Sequence, residues 1–168
     1  MSMDVASCSM DDSMNRVAQL MWERDCGCVP IVDELSRVIG IITDRDVCMA
    51  AYTQGRSLAE LPVSLACSRD VQTCRGSDSL ARAEALMTRA QVRRLPVVDD
   101  AGVLVGLLSL GDLAHRLKNV GAARSDTLGL RHVAAVLEAV TRPRRVPESP
   151  SAEPIAARRA PRTLHGAT

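Results

Sequence analysis

The chain has 168 residues, of which 46% are hydrophobic and 24% charged, and its formal net charge is +1; this is the composition of an ordinary globular domain. It contains one Trp, one Tyr and no Phe, so the core must be aliphatic. No apolar run is long enough to span a bilayer, and Asp4, Asp11 and Asp12 stand where a signal peptide would need basic and apolar residues. We therefore expect a cytoplasmic protein with no membrane partner.

The sequence matches itself, without a gap, when it is shifted by 66 residues, which places Asp4 on Asp70. The matching segments are residues 4–8 and 70–74, 30–33 and 96–99, and 40–43 and 106–109. Such self-similarity indicates two copies of one structural unit.

Each copy is predicted to run strand, helix, strand, strand, helix. A short β-like run ends at Cys8 or Cys74, and Ser13 or Ser79 then caps a helix with apolar positions at helical spacing. Two apolar runs joined by a short polar turn follow, which predicts a hairpin. Thr43 or Ser109 caps the closing helix.

Three segments lie outside the copies. Residues 58–66 are predicted to form a short linker helix interrupted by Pro62, and residues 126–140 a C-terminal helix ended by Pro143. The apolar face of that last helix comprises Leu130, Val133, Val136, Leu137 and Val140. Residues 141–168 hold six Arg, two Glu and five of the eight prolines, which predicts a disordered basic tail.

The junction between the hairpin and the closing helix carries candidate binding chemistry in both copies. A strand that ends in Thr43 or Ser109 and starts a helix predicts backbone N–H groups and a positive dipole end for an anion. Asp46 or Asp112, one turn further on, can accept hydrogen bonds from ribose hydroxyls. The alternative is that these residues do no more than cap a helix.

Together, the two α+β copies with Pro-Val-Val-Asp-like strands and the segments 40–46 and 106–112 resemble a pair of CBS repeats, or Bateman module. The resemblance implies tandem repeats (β-α-β-β-α) related by a pseudo-twofold axis, with their sheets packed face to face. The expected divisions are repeat 1 at residues 3–56, a linker helix at 57–69, repeat 2 at 70–120, a C-terminal helix at 121–141 and the disordered tail at 142–168.

The resemblance also implies an adenosine nucleotide (AMP, ADP, ATP or an S-adenosylmethionine-like molecule) in the cleft between the repeats, as a regulatory ligand. Two sites are expected, each joining a hydroxyl–Asp motif to residues from the other repeat. Site A would comprise Ile41, Thr43, Asp46, Val92, Arg93, Arg94 and Leu95. Site B would comprise Leu107, Ser109, Asp112, Cys26, Gly27, Cys28 and Val29.

Site A is expected to be the stronger of the two sites. Arg93 and Arg94 are suited to bidentate phosphate recognition, and residues 58–69 precede repeat 2 as an extra wall. Site B has no cation at the matching positions, and little chain precedes repeat 1. The alternative for Arg93 and Arg94 is a solvated loop without a ligand.

Other function classes find less support in the sequence. The only close cysteine pair, Cys26 and Cys28, has no second pair or nearby His, so we expect no metal site. No catalytic arrangement, phosphate-binding loop or cofactor fingerprint is present, which argues against an enzyme and against a cofactor. Nucleic acid is not an expected partner, although the basic tail leaves room for one.

The remaining partners are a regulated protein, which the sequence does not identify, and a second copy of the chain. The family resemblance implies a homodimer formed through the helices, and Trp22 on the first helix is a candidate anchor. A module that binds no ligand and only dimerises or docks on a partner is the alternative function.

Overall fold

The computed structural model describes residues 1, 3–120 and 127–142, with only the backbone at 116–120 and 127–133. Repeat 1 begins with helix α1 (Met14–Glu23) and continues through strand β1 (Cys28–Val32), strand β2 (Val38–Thr43) and helix α2 (Asp44–Gln54). Strands β1 and β2 form an antiparallel hairpin. The strand expected before α1 is reduced to a single parallel bridge between Cys8 and Ile31.

Repeat 2 has the same elements in the same order. Strand β3 (Cys74–Arg75) and helix α3 (Leu80–Ala90) precede strands β4 (Arg94–Val98) and β5 (Leu104–Ser109) and helix α4 (Leu110–Val120). Each of the last four begins 66 residues after its counterpart in repeat 1, so the offset found in the sequence is confirmed as a structural repeat. Strand β3 adds to the β4–β5 hairpin as a parallel neighbour.

The two hairpin turns are built alike. Asp33 Oδ1 accepts hydrogen bonds from the backbone N–H groups of Leu35 and Arg37, at 3.0 and 2.9 Å. Asp99 makes the matching pair of bonds at 2.9 Å each. The left-handed position of each turn is held by Ser36 (φ 59°) or by Gly102 (φ 83°), and the side chain of Ser36 makes that conformation the costlier one.

The repeats meet about a pseudo-twofold axis at these turns. The Val38 N–H donates to the Gly102 carbonyl at 3.1 Å, and the Leu104 N–H donates to the Ser36 carbonyl at 3.0 Å. Each bond maps onto the other under the 66-residue shift. The predicted pseudo-twofold pair is therefore confirmed by reciprocal backbone hydrogen bonds.

The segment between the repeats forms two 3-10 turns, Leu58–Glu60 and Val63–Leu65, in place of the expected linker helix. Ser57 and Glu60 make a capping box around the first turn, and Pro62 separates it from the second. Beyond the turns, Ser68 pairs with Ile41 of β2 through two hydrogen bonds of 2.9 Å. This pairing holds the segment against repeat 1.

Each repeat has its own aliphatic core, with no Phe, Trp or Tyr in either. The core of repeat 1 includes Met14, Val17, Val29, Ile31 and Ile42, and that of repeat 2 includes Met87, Leu95, Val97 and Leu113. The core expected between the sheets is thus divided into two clusters of buried residues.

Helix α5 (Thr127–Thr141) packs against α3 and α4. Val136 is buried in the core of repeat 2 and Val140 packs against it. Leu137, which the sequence placed on the same face, is 48% exposed and lies off the contact. The side chains of Leu130 and Val133, and the tail predicted at 143–168, lie outside the described residues.

Candidate functional site

The junction of β2 and α2 in repeat 1 is a closed capping box. The Asp46 N–H donates to Thr43 Oγ1, while Asp46 Oδ2 accepts from the Thr43 N–H at 2.9 Å and from its hydroxyl at 2.7 Å. Such a cap stabilises a helix by about 1 kcal/mol. No described residue donates a hydrogen bond to the other oxygen, Oδ1, which leaves it as an acceptor.

The first-turn N–H groups of α2, however, are not free for an anion as the sequence suggested. The Asp44 N–H donates to the Gly27 carbonyl at 3.3 Å, and the Arg45 N–H to Asp44 Oδ1 at 2.7 Å. With the Asp46 N–H taken by the cap, recognition of a phosphate here would fall to side chains.

The matching junction in repeat 2 has the same cap but a different outer contact. Asp112 Oδ2 accepts from the Ser109 N–H at 2.8 Å and from its hydroxyl at 2.6 Å. Asp112 Oδ1 lies 2.7 Å from the amino-terminal ammonium group of Met1. Burial opposes ionisation of Asp112, but hydrogen bonds from this ammonium group and from Ser109 outweigh it and lower its pKa.

A cleft of about 260 Å³ opens beside Asp46. One wall is the face of α2 that carries Asp46, and the other is the end of the segment that precedes repeat 2. The lining residues are Asp46, Met49, Ala50, Thr53, Gln54, Leu65 and Ala66. The sequence analysis placed Asp46 and the segment 58–69 at site A, and the structure brings the two together.

The α2 residues of this cleft were missed. Met49, Ala50 and Thr53 follow Asp46 at three, four and seven residues, which is the spacing of one helical face. That periodicity was the available signal, because a ligand held by Asp46 also meets the rest of its helical face.

Arg94 links the two repeats, whereas Arg93 points into solvent-exposed surface. A methyl group placed on Gly27 would lie 3.6 Å from Arg94 Nη2 and 3.2 Å from Asp44 Oδ2, so the guanidinium reaches the start of α2. The backbone of both arginines lies beside its own repeat: Arg94 pairs with Ser109, and the Arg93 carbonyl accepts from the Leu110 N–H at 2.9 Å. Arg93 is exposed.

The other predicted site residues occupy three kinds of position. Leu95, Val29 and Cys28 are buried in the cores, and Val92 packs against the core of repeat 2. Ile41 and Leu107 are half-buried strand residues, as Cys26 and Gly27 are in their loop. The pairing of Cys28 with Thr43 places the 26–28 segment next to the motif of its own repeat.

The Cys26–Cys28 pair is chemically subdued. Burial raises the pKa of Cys28 to about 11, so its thiol is protonated at neutral pH and is a weak nucleophile. Among the described residues, no three His, Cys, Asp or Glu side chains come together as a metal site. No helix in the described part of the chain is long and apolar enough to cross a membrane.

Comparison with known proteins bears on the same two segments. A family model for the CBS domain matches residues 1–52 and 62–119. CBS domain-containing protein YhcV of Bacillus subtilis is 34% identical over 132 residues, which are 79% of this chain and 92% of that protein. Inosine-5'-monophosphate dehydrogenase of Methanocaldococcus jannaschii is 33% identical over 132 residues, and the chain covers 25% of that enzyme.

Solved structures show the same fold. A CBS-domain containing protein from Agrobacterium tumefaciens has a TM-score of 0.60 at 29% identity, over 67% of this chain and 89% of that one. The CBS domain pair of protein MJ0100, in complex with 5'-methylthioadenosine and S-adenosyl-L-methionine, has a TM-score of 0.62 at 23% identity, over 69% and 93%. With two matched segments, reciprocal contacts between them and these relatives, the chain belongs to the CBS-domain family and carries a CBS pair.

Proposed function

We propose that this chain is a regulatory module, not an enzyme, and that it binds an adenosine nucleotide at site A. The observation that carries the proposal is the cleft beside Asp46, onto which a carboxylate oxygen without a hydrogen bond to any described residue can open. Nucleotide sites need few polar groups, provided that these are fixed in place. The capping box fixes Asp46.

Ribose recognition falls to Asp46. Its Oδ2 is committed to Thr43, so Oδ1 is the acceptor for a ribose hydroxyl. A hydrogen bond to a charged acceptor is worth roughly 1.5–3 kcal/mol. The adenine would lie on aliphatic groups of the cleft such as Met49, Ala50 and Leu65, because no aromatic side chain lines it.

Phosphate recognition falls to the arginines of repeat 2. Arg94 reaches Gly27 and Asp44 at the start of α2, and Arg93, one residue before it, is exposed and able to turn toward the same place. The guanidinium groups supply the positive charge, since the first-turn N–H groups of α2 are engaged within the protein.

Site B is the weaker site in this proposal. The repeat 2 carboxylate, Asp112, is held by Ser109 on one oxygen and by the amino-terminal ammonium group on the other. A ligand would have to displace the ammonium group before it could use that carboxylate. Cys26, Gly27 and Cys28 supply no cation in exchange.

A thermal-shift screen with AMP, ADP, ATP and S-adenosylmethionine tests the proposal, since a ligand that binds only the folded state raises its melting temperature. We expect at least one of the four to stabilise the wild-type chain and to lose that effect in Asp46→Ala. The MJ0100 complex supports including the S-adenosylmethionine arm. If none stabilises the wild type, the alternative of a ligand-free interaction module replaces this proposal. The cytoplasmic location and the homodimer stay predictions.

A further inference from the structure

The helical face of repeat 2 is covered by a helix of the same chain. Val136 of α5 is buried in one cluster with Met87 of α3 and Leu113 of α4. The Gln91 side-chain amide, just after α3, donates to the Ala139 carbonyl at 3.2 Å. Helix α5 therefore packs across α3 and α4.

The matching face of repeat 1 is open. Met21 and Val47 stand 66 residues before Met87 and Leu113, and they line a groove of about 360 Å³ between α1 and α2. The other lining residues are Ala18, Trp22, Asp44, Cys48, Ala51 and Leu58. The chain that follows repeat 1 supplies only the 3-10 turn Leu58–Glu60, which packs against α1 and is too short to cover the groove as α5 covers its counterpart.

The lining suits an apolar partner. Small side chains (Ala18, Cys48 and Ala51) leave the space between the helices, while Met21 and Val47 provide its apolar floor. Trp22 stands at the edge and is 88% exposed. An exposed Trp beside an apolar depression is the usual composition of a protein-binding surface.

We propose that this groove docks an amphipathic α-helix of a partner protein, with an apolar stripe like the one that α5 presents to repeat 2. The stripe on α5 is Val136 and Val140, at the i, i+4 spacing of one helical face. A concave channel between two helices fits a third helix, as in other helix-in-groove complexes, and the equivalent face of the same molecule is seen to hold one. This inference is independent of nucleotide binding.

The chain provides its own reporter and its own probe. Trp22 is the only Trp, so tryptophan emission reports on this groove and on no other surface. A synthetic peptide of residues 127–142 is the probe, titrated into the full-length protein under reducing conditions. We expect a saturable blue shift of the emission as the indole leaves water, and no shift with the same peptide carrying Val136→Asp and Val140→Asp.

A matched pair of variants tests the location. Cys48→Arg places a long charged side chain in the groove at an exposed position, and Ala114→Arg makes the same change 66 residues later, on repeat 2. We expect Cys48→Arg to weaken peptide binding at least about tenfold and Ala114→Arg to leave it unchanged, with both variants folded by circular dichroism.

Three results would overturn the proposal. One is the absence of any emission shift at the highest soluble peptide concentration, and another is equal peptide affinity in Cys48→Arg and the wild type. The third is an emission that shifts with protein concentration alone, together with a dimeric mass by light scattering, because the groove would then be occupied by a second copy of the chain.

Discussion

Repeat 1 and repeat 2 build the same strand–helix junction and leave its carboxylate in different surroundings. In both, an Asp closes a capping box on a Thr or Ser with one oxygen. In repeat 1 the second oxygen of Asp46 has no described donor and a cleft beside it. In repeat 2 the second oxygen of Asp112 meets the amino-terminal ammonium group. The cap is thus common to both copies, whereas an open acceptor belongs to one.

The helical faces differ in the same way. Helix α5 packs on α3 and α4, while the groove between α1 and α2 stays open. The comparison shows that the repeated residues specify the backbone, and that the segments outside the repeats decide which surfaces remain accessible. Repeat 1 keeps both of its candidate binding surfaces.

The largest expected difference between the repeats is in stability. Met87 is fully buried beneath α5, whereas Met21, its counterpart, borders the open groove. We expect Met87→Ala to lower the free energy of unfolding by about 3 kcal/mol and Met21→Ala by roughly 1 kcal/mol less, since a cavity at an open edge is the easier one to relax. Urea denaturation at equal m-value measures both, and a larger loss in Met21→Ala would break the comparison.

Phosphate recognition is expected to depend on repeat 2 even though the carboxylate belongs to repeat 1. Replacing Arg93 and Arg94 together by Ala should weaken AMP binding about tenfold, because charge-assisted hydrogen bonds to phosphate are lost. Adenosine, which lacks the phosphate, should bind the double variant as it binds the wild type. Calorimetric titration with the two ligands separates these outcomes, and an equal loss for adenosine would remove the arginines from the phosphate role.

The thiols should show a smaller contrast. Cys48 is exposed, while burial raises the pKa of Cys8 to about 12 and that of Cys28 to about 11. Because the thiolate is the reactive form, a thiol reagent at pH 8 should label Cys48 first, and labelling of Cys28 should accelerate as the pH rises toward its pKa. Mass spectrometry of timed samples follows each site. Early labelling of Cys28 would show that its environment is more open than the structure has it.

Much of the fold could be predicted from the sequence because the repeat supplied two readings of each element. The caps at Ser13, Thr43 and Ser79 and the hairpins follow from local chemistry. The linker could not be predicted, because Ser57, Glu60 and Pro62 allow either an α-helix or 3-10 turns, and packing on repeat 1 decides between them.

The candidate site could be predicted only in part. Asp46 and its cap were evident from the motif, but the engaged N–H groups at the start of α2 depend on the Gly27 carbonyl, which comes from a distant loop. The contact between Met1 and Asp112 spans 111 residues and has no local signal. Leu137 was misplaced because helical spacing alone does not give the width of a contact.

The central claim, that repeat 1 holds the working carboxylate, is tested most directly by titrating AMP calorimetrically into Asp46→Ala and Asp112→Ala. Both variants lose the same capping box, with a similar stability cost of about 1 kcal/mol, so a difference in affinity reports on the ligand and not on the fold. The account predicts that Asp46→Ala weakens binding about tenfold or more, while Asp112→Ala stays within about twofold of the wild type. Loss of binding in Asp112→Ala with full binding in Asp46→Ala would contradict it.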